Sequence, residues 1–215
     1  MEKDQEVFTS DQLNKIVYTD LDGTITVRDT YTKFILRYGN FDTFLLSFPI
    51  FFLQLFLFSI GLIDRNNLKR KTIKIFLQGK SRELLEKLSR DFIPSVRVYP
   101  EVMQKIDEYR QEGYKIIVVT ASPSLYVKYF VKYFGFDGYI ATELEERNGL
   151  LTGNVIGDNN NFHVKVENIK SSEYFIEGQK IVAFGNSKGD YGMFDLSDEF
   201  FYVNKKGVLL HNTKP

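Results

Sequence analysis

The chain has 215 residues, 43% hydrophobic and 26% charged, with 28 basic side chains against 28 acidic ones and no cysteine. That length and balance suit one globular domain, or one domain with a sizeable insertion, and argue against disorder. A formal net charge of zero speaks against nucleic acid as a partner, and the missing cysteines exclude disulfides, zinc-thiolate centres and thiol nucleophiles.

The N-terminal stretch MEKDQEVFTSDQ is polar and acidic, without the apolar centre of a secretory signal, so a cytoplasmic location is expected. Residues 15–19 read as a short buried strand that runs into Asp20 and Asp22, with Gly23 allowing a tight turn. Carboxylates at the end of a buried strand are costly unless a metal, a proton or chemistry answers them. Residues 30–95 show no strand alternation and are expected to be helical. Within them, Phe44 to Ile63 carries no charge, and only Ser47, Gln54 and Ser59 are polar. The following stretch, DRNNLKRKTIKIFLQG, predicts a helix with Asp64 as N-cap, Gly79 as stop, and Leu68, Thr72, Ile75 and Phe76 on one face.

Pro94 and Pro100 bracket the return, and residues 100–113 predict a helix from Pro100 to Gly113. KIIVVT is a second buried strand ending at Thr120. A helix is then expected with Ser122 as N-cap, Pro123 in its first position and Gly135 closing it. Its Tyr126, Phe130, Tyr133 and Phe134 form a core-facing stripe. Asn148-Gly149 predicts a hairpin turn, residues 164–178 a helix, and residues 180–185 and 200–204 a third and a fourth strand. Strands alternating with helices predict an α/β fold: a doubly wound, Rossmann-like parallel sheet. The expected division is a core of residues 1–29 and 96–215 with a helical cap, 30–95, inserted after the first strand.

In such sheets ligands bind beyond the carboxyl ends of the strands, where Asp20, Thr120 and Asn186 fall. Thr120 stands before an expected helix N-terminus, a favourable place for an anion. Asn186 and Asp190, in GNSKGD, are further oxygen donors. Oxygen ligands without His or Cys suit Mg2+, and the histidines, His163 and His211, are too few for a His-based metal cluster. A hard cation, an anion pocket and a carboxylate nucleophile together describe phosphoryl transfer.

These residues resemble the motifs of the haloacid dehalogenase superfamily of phosphohydrolases, over roughly residues 14–205. Asp20-Leu21-Asp22-Gly23-Thr24 is similar to its first motif, and IIVVT ending at Thr120 to its second. Lys165 in HVKVENI is similar to the third, and Gly185 to Asp190 to the fourth. The resemblance implies that Asp20 attacks phosphorus and carries an aspartyl-phosphate. Asp22 then serves as acid and later base, Lys165 neutralises developing charge, and Thr24, Thr120, Ala121 and Lys165 bind the phosphate. It also implies Mg2+ held by Asp20, the backbone of Asp22, Asn186 and Asp190. Asn186 departs from the pattern, where aspartate is commoner; its amide oxygen can coordinate but lacks the charge.

Within the superfamily the layout resembles the phosphoserine phosphatase branch. Asp29 stands where that enzyme has a glutamate, however, and TASPS replaces its Ser-Gly-Gly. With the apolar run and the basic helix behind it, these features look more like the branch related to phosphatidylglycerophosphatase C. The substrate so implied is a phosphomonoester on a membrane phospholipid such as phosphatidylglycerophosphate. As a helix, Phe44 to Ile63 would rise about 30 Å, enough to span a bilayer. A single span, however, would part Asp20 from Thr120, Lys165 and Asp190. Peripheral association at the cytoplasmic membrane face is therefore expected, helped by Arg65, Lys69, Arg70, Lys71 and Lys74. The alternatives are an apolar run buried in its own core or a dimer interface, a soluble phosphoserine phosphatase-like enzyme, and a non-catalytic phosphate-binding protein.

Overall fold

A computed structural model describes residues 15–39, 48–49, 52–53, 56–62, 65–157 and 162–214. Its centre is a seven-stranded sheet in the order β4-β3-β2-β1-β5-β6-β7. The strands are β1 (Lys15–Thr19), β2 (Lys115–Pro123), β3 (Gly138–Arg147), β4 (Leu150–Ile156), β5 (Lys180–Gly185), β6 (Glu199–Val203) and β7 (Leu209–His211). The inner strands from β3 to β6 run parallel, while β4 and β7 close the two edges antiparallel. The apolar runs that suggested buried strands are buried on both faces, as parallel strands flanked by helices must be. Alternation divides them. Val17, Ile116, Val118, Val182 and Phe184 enter one core, and Ile16, Tyr18, Ile117, Val119, Ile181 and Ala183 the other.

Between β1 and β2 the chain forms α1 (Thr30–Tyr38), α2 (Arg65–Leu77) and α3 (Arg82–Phe92), followed by α4 (Pro100–Gln111) against the sheet. Asp29 caps α1 by accepting from Thr32 N at 2.6 Å, and Ser81 caps α3 by accepting from Leu84 N at 3.3 Å. The way in and the way out of this helical segment run side by side, with Val27 N donating to Arg97 O and Tyr99 N to Ile25 O. Phe34, Ile35, Ile73, Phe76, Leu77, Leu85 and Phe92 share one core with the sheet residues Val17 and Val118. The segment is also stitched to the β3–β4 hairpin. Gly79 N donates to Leu151 O at 2.8 Å, Leu151 N to Lys80 O at 2.9 Å and Arg82 N to Gly149 O at 3.0 Å. Gly153 permits the close approach of α2, since a Cβ there would stand 3.0 Å from Lys74 Cα.

After β2 come α5 (Ser124–Phe134), α6 (Phe162–Lys170) and α7 (Tyr191–Asp195). The expected hairpin is present, with Asn148 and Gly149 both at positive φ. Several expectations need correction. β2 does not stop at Thr120 but continues through Pro123, and the helix starts at Ser124 with Pro123 as N-cap. Ser122 caps nothing; its hydroxyl is drawn to the half-buried Asp22 carboxylate instead. The helix expected over 164–178 spans 162–170, because the chain turns at Ser171 and Ser172. In α2 the buried face is Ile73, Phe76 and Leu77, while Leu68, Thr72 and Ile75 are half-buried. Thr72 turns instead to the Tyr31 hydroxyl, 2.6 Å away. In α5, Tyr126 and Phe130 are buried but Tyr133 is exposed, lining a surface groove with Arg90, Tyr129 and Lys132.

Of the apolar run 44–63, residues 48–49, 52–53 and 56–62 are described; Phe44–Ser47, Ile50, Phe51, Gln54, Leu55 and Ile63 lie outside the described residues, as does Asp64 with its expected cap. Phe48, Phe52, Leu53, Phe56, Phe58, Ile60 and Leu62 are each between 41% and 69% exposed, so these side chains are not in the core. Among the described residues, no helix is long and apolar enough to cross a membrane.

Candidate active site

The carboxyl ends of β1, β2 and β5 meet at the point where the winding of the sheet reverses. Asp20 N donates to Phe184 O at 2.9 Å, fixing the turn after β1 to its neighbour β5. The Asp20 carboxylate is buried and held at both oxygens. Lys165 Nζ lies 2.7 Å from Oδ1, and Thr24 Oγ1 donates to Oδ2 at 3.0 Å. Burial pushes the Asp20 carboxyl up to about 6, against the opposing pull of Lys165.

Lys165 comes from α6 on the far side of the sheet and is itself only 3% exposed. Its ammonium also meets Asp190 Oδ1 at 2.6 Å. Burial alone would lower its proton affinity; Asp190 and Asp20 outweigh burial and hold it above its ordinary value. The second Asp190 oxygen accepts from Asn186 N (3.1 Å), Ser187 N (3.0 Å) and Ser187 Oγ (2.8 Å), which organises the loop after β5.

That loop returns Asn186 to the first turn, where its Nδ2 donates to the Asp22 carbonyl at 3.1 Å. Gly23, at φ +82, makes room: a Cβ there would stand 2.1 Å from Asn186 Nδ2. The Asp22 side chain has partners of its own. Oδ1 accepts from Thr30 N and from Thr30 Oγ1, both at 2.6 Å, and Oδ2 accepts from Ser122 Oγ at 2.5 Å. Burial and the nearby Asp29 raise its proton affinity, and these hydrogen bonds oppose them.

The structure therefore brings Asp20, Thr24, Lys165 and Asp190 into one hydrogen-bonded cluster; Asn186 joins it through its backbone N–H on Asp190, and Asp22 is tied on through the Asn186 amide. Thr120 is buried beside them, its Oγ1 accepting from Ser122 N at 3.1 Å. The Ala121 carbonyl accepts from Thr142 Oγ1 at 2.7 Å and from Lys69 Nζ of α2. Lys69, expected at lipid headgroups, is thus turned toward the strand end. Thr30 and Ser122 were missed as site residues. Strand alternation held the signal for Ser122, because residues 120 and 122 share a face if the strand continues.

A hard cation can be tested against the donor set. Asp20, the Asp22 carbonyl and the Asn186 amide offer oxygen without sulfur or imidazole. A half-turn of the Asn186 amide would set its oxygen beside the Asp22 carbonyl. Among the described residues, no three His, Cys, Asp or Glu side chains form a metal cluster, since Lys165 separates Asp20 from Asp190. The residues fit a cation with few protein ligands and water completing its shell, as Mg2+ prefers.

The haloacid dehalogenase-like hydrolase family pattern matches residues 17–195. Protein CicA of Caulobacter vibrioides is 31% identical over 212 residues, which cover 93% of this chain and 88% of CicA. A protein of unknown function from Bordetella pertussis Tohama I shares the fold with a TM-score of 0.72 at 17% identity, over 86% of this chain and 88% of the other. A phosphoserine phosphatase solved as a phospho-aspartyl intermediate analogue has a TM-score of 0.59 at 22% identity, over 86% of this chain and 84% of its own.

Proposed function

From its place in the haloacid dehalogenase-like hydrolases, the family to which this chain belongs, we propose that it is a Mg2+-dependent phosphomonoester hydrolase acting through an aspartyl-phosphate. The carrying observation is Asp20: a buried carboxylate at the end of the central strand, aligned by Thr24 and charge-balanced by a lysine. At neutral pH a group pushed up to about 6 is mostly ionised, as a nucleophile must be. One Asp20 oxygen bonds to phosphorus while the ester P–O bond breaks, and Asp22 protonates the departing oxygen. Water then displaces the phosphate from Asp20 and gives its proton to Asp22.

Lys165 stays charged throughout, so it offsets the negative charge gathering on the phosphoryl oxygens. Thr24, Thr120 and Ala121 shape the phosphate pocket. Asp190 holds Lys165 and the loop carrying Asn186. When bound, Mg2+ held by Asp20, the Asp22 carbonyl and Asn186 would polarise the phosphoryl group.

For the substrate we favour a lipid phosphomonoester met at the cytoplasmic membrane face, with segment 30–95 as a cap over the site. The exposed Phe48, Phe52, Phe56 and Phe58 support this reading, as do Arg70, Lys71 and Lys74 beside Val155 and Ile156 in a groove outside the site. Asp29 weakens the phosphoserine alternative, because it stands in place of that enzyme's glutamate and one of its carboxylate oxygens already caps α1. The test is phosphate release from a lipid phosphate and from phosphoserine, with and without detergent and Mg2+, using Asp20→Asn as control. Release from the lipid ester alone supports the reading. Release from phosphoserine alone replaces the lipid with a soluble metabolite, and no release from any ester leaves a binding protein.

A further inference from the structure

Asp22 is gripped from two separate parts of the molecule. Thr30, in the first turn of α1, supplies its N–H and hydroxyl to Oδ1, and Ser122, on β2, supplies its hydroxyl to Oδ2. Ser122 and Thr30 are 1% and 2% exposed and the Asp22 they grip is half-buried, so the two donors are fixed in place by their surroundings. The Tyr126 hydroxyl lies 3.0 Å from Thr30 Oγ1. Thr30 gives its single hydroxyl hydrogen to Asp22, so Tyr126 is the donor there, and the buried Tyr126 fixes the Thr30 rotamer in turn. With both oxygens engaged, the carboxyl group has one orientation.

We infer that Ser122 is a positioning residue for Asp22, holding the carboxyl where it meets the departing ester oxygen, with Thr30 as its counterpart from α1. The inference rests on the phosphatase reading above and deepens it. A general acid must come within hydrogen-bond reach of the atom it protonates, and its contribution decays as that reach is lost. The hydroxyl belongs to this chain's own pattern, since Thr120-Ala121-Ser122 stands where the phosphoserine phosphatase pattern has Ser-Gly-Gly. Apolar packing cannot replace it: an alanine would leave the half-buried Asp22 carboxyl without its Oδ2 donor and free to turn.

The step balances simply. The Asp20 oxygen forms its bond to phosphorus, and the ester oxygen leaves with the bonding pair and takes the Asp22 proton. In the second half, water oxygen bonds to phosphorus, Asp20 recovers its electron pair, and the water proton returns to Asp22. An ester whose leaving group is stable as an anion needs no proton in the first half.

The test compares kcat/KM for glycerol phosphate and for p-nitrophenyl phosphate, because that ratio covers only the steps through leaving-group release. Ser122→Ala should lose about ten- to a hundred-fold more on the alkyl ester than on the aryl ester. Thr30→Val should lose in the same direction, and Ser122→Thr should restore the wild-type ratio. Melting of each variant shows whether the fold survives, and Thr30→Val carries the test should Ser122→Ala not fold. Equal losses on both esters, or none, would overturn the positioning role. Asp22→Asn separates the two levels: discrimination there but not in Ser122→Ala removes only the role of Ser122. Absence of discrimination in Asp22→Asn removes the acid itself, and a wild type inactive on both esters removes the phosphatase reading with it.

Discussion

Two stretches of the helical segment between β1 and β2 use their apolar residues in opposite ways. In α2 and α3, Ile73, Phe76, Leu77, Leu85 and Phe92 are buried in the core shared with the sheet. Among the described residues of the apolar run, Phe48, Phe52, Leu53, Phe56, Phe58, Ile60 and Leu62 are exposed, Phe56 at 58% and Leu62 at 69%. Hydrophobicity does not separate the two; pattern does. RELLEKLSRDF sets Glu83, Lys87, Arg90 and Asp91 apart from Leu85, Ser89 and Phe92, so α3 has one face for the core and another for water. The run at 44–63 has no charged face to turn outward. An element that is apolar all round needs more than one apolar neighbour, and under the proposed lipid reading a membrane surface would supply what the sheet does not.

The largest effect that would break this contrast is on stability. Leu85→Ala should cost about 2–5 kcal/mol of unfolding free energy, whereas Phe56→Ala should change it by no more than about 0.5 kcal/mol. Denaturant titration of both proteins measures this, and similar losses would mean that the exposed run is core after all. Next comes binding to anionic vesicles. Replacing Arg70, Lys71 and Lys74 together with Gln removes about 1 kcal/mol per charge, so co-sedimentation should weaken about ten-fold or more, and less at high salt. Replacing Phe52, Phe56 and Phe58 with Ser should weaken binding too, while leaving the melting temperature nearly unchanged. A wild type that ignores vesicles would end the lipid reading.

A smaller effect is expected within the site itself, away from the helical segment. Asn186→Asp puts a further negative charge beside Asp20, Asp22 and Asp190 and removes the donor to the Asp22 carbonyl. Its melting temperature without Mg2+ should fall and should recover on adding Mg2+ more than the wild type gains. Equal responses would place Asn186 outside the cation site. The smallest effect concerns the stitched side. Ser81 and Leu150 form an isolated antiparallel bridge flanked by the bonds from Arg82 N and Leu151 N. Such pairs bring Cα atoms within about 4.5 Å, suited to a disulfide in a chain that has no other cysteine. Oxidised Ser81→Cys/Leu150→Cys should keep activity within about two-fold of its reduced form, because this side is already held by backbone hydrogen bonds. Loss on oxidation, recovered with reductant, would show that the stitch opens during turnover.

Much of the site was legible because its residues sit next to strong strand signals. KIVYT, KIIVVT and KIVAFG are apolar on both faces, so their ends were easy to place, and Asp20, Thr120 and Asn186 followed with them. Asp190 followed as an oxygen donor in GNSKGD, while Lys165 needed the resemblance, since it does not stand out by spacing. Ser122 was misplaced because Pro123 reads as the first residue of a helix; the strand instead runs through it on an irregular stretch of the β2–β3 pairing. Thr30 gave no signal beyond its place at the start of α1.

Local sequence, then, determined the inner strands, the turn at Asn148-Gly149 and the order of the polar residues at the strand ends. Those features depend on residues within a turn or two of each other, where side-chain period and backbone preference act directly. Only the tertiary structure decided that Lys165 reaches across to Asp20 and Asp190, that Lys69 turns inward to Ala121, and that Asp22 is shared between Thr30 and Ser122. Each is a contact between distant parts of the chain, made because a buried charge or hydroxyl must find a partner once the sheet has excluded water, and which partner stands near enough is a matter of packing rather than of neighbouring sequence.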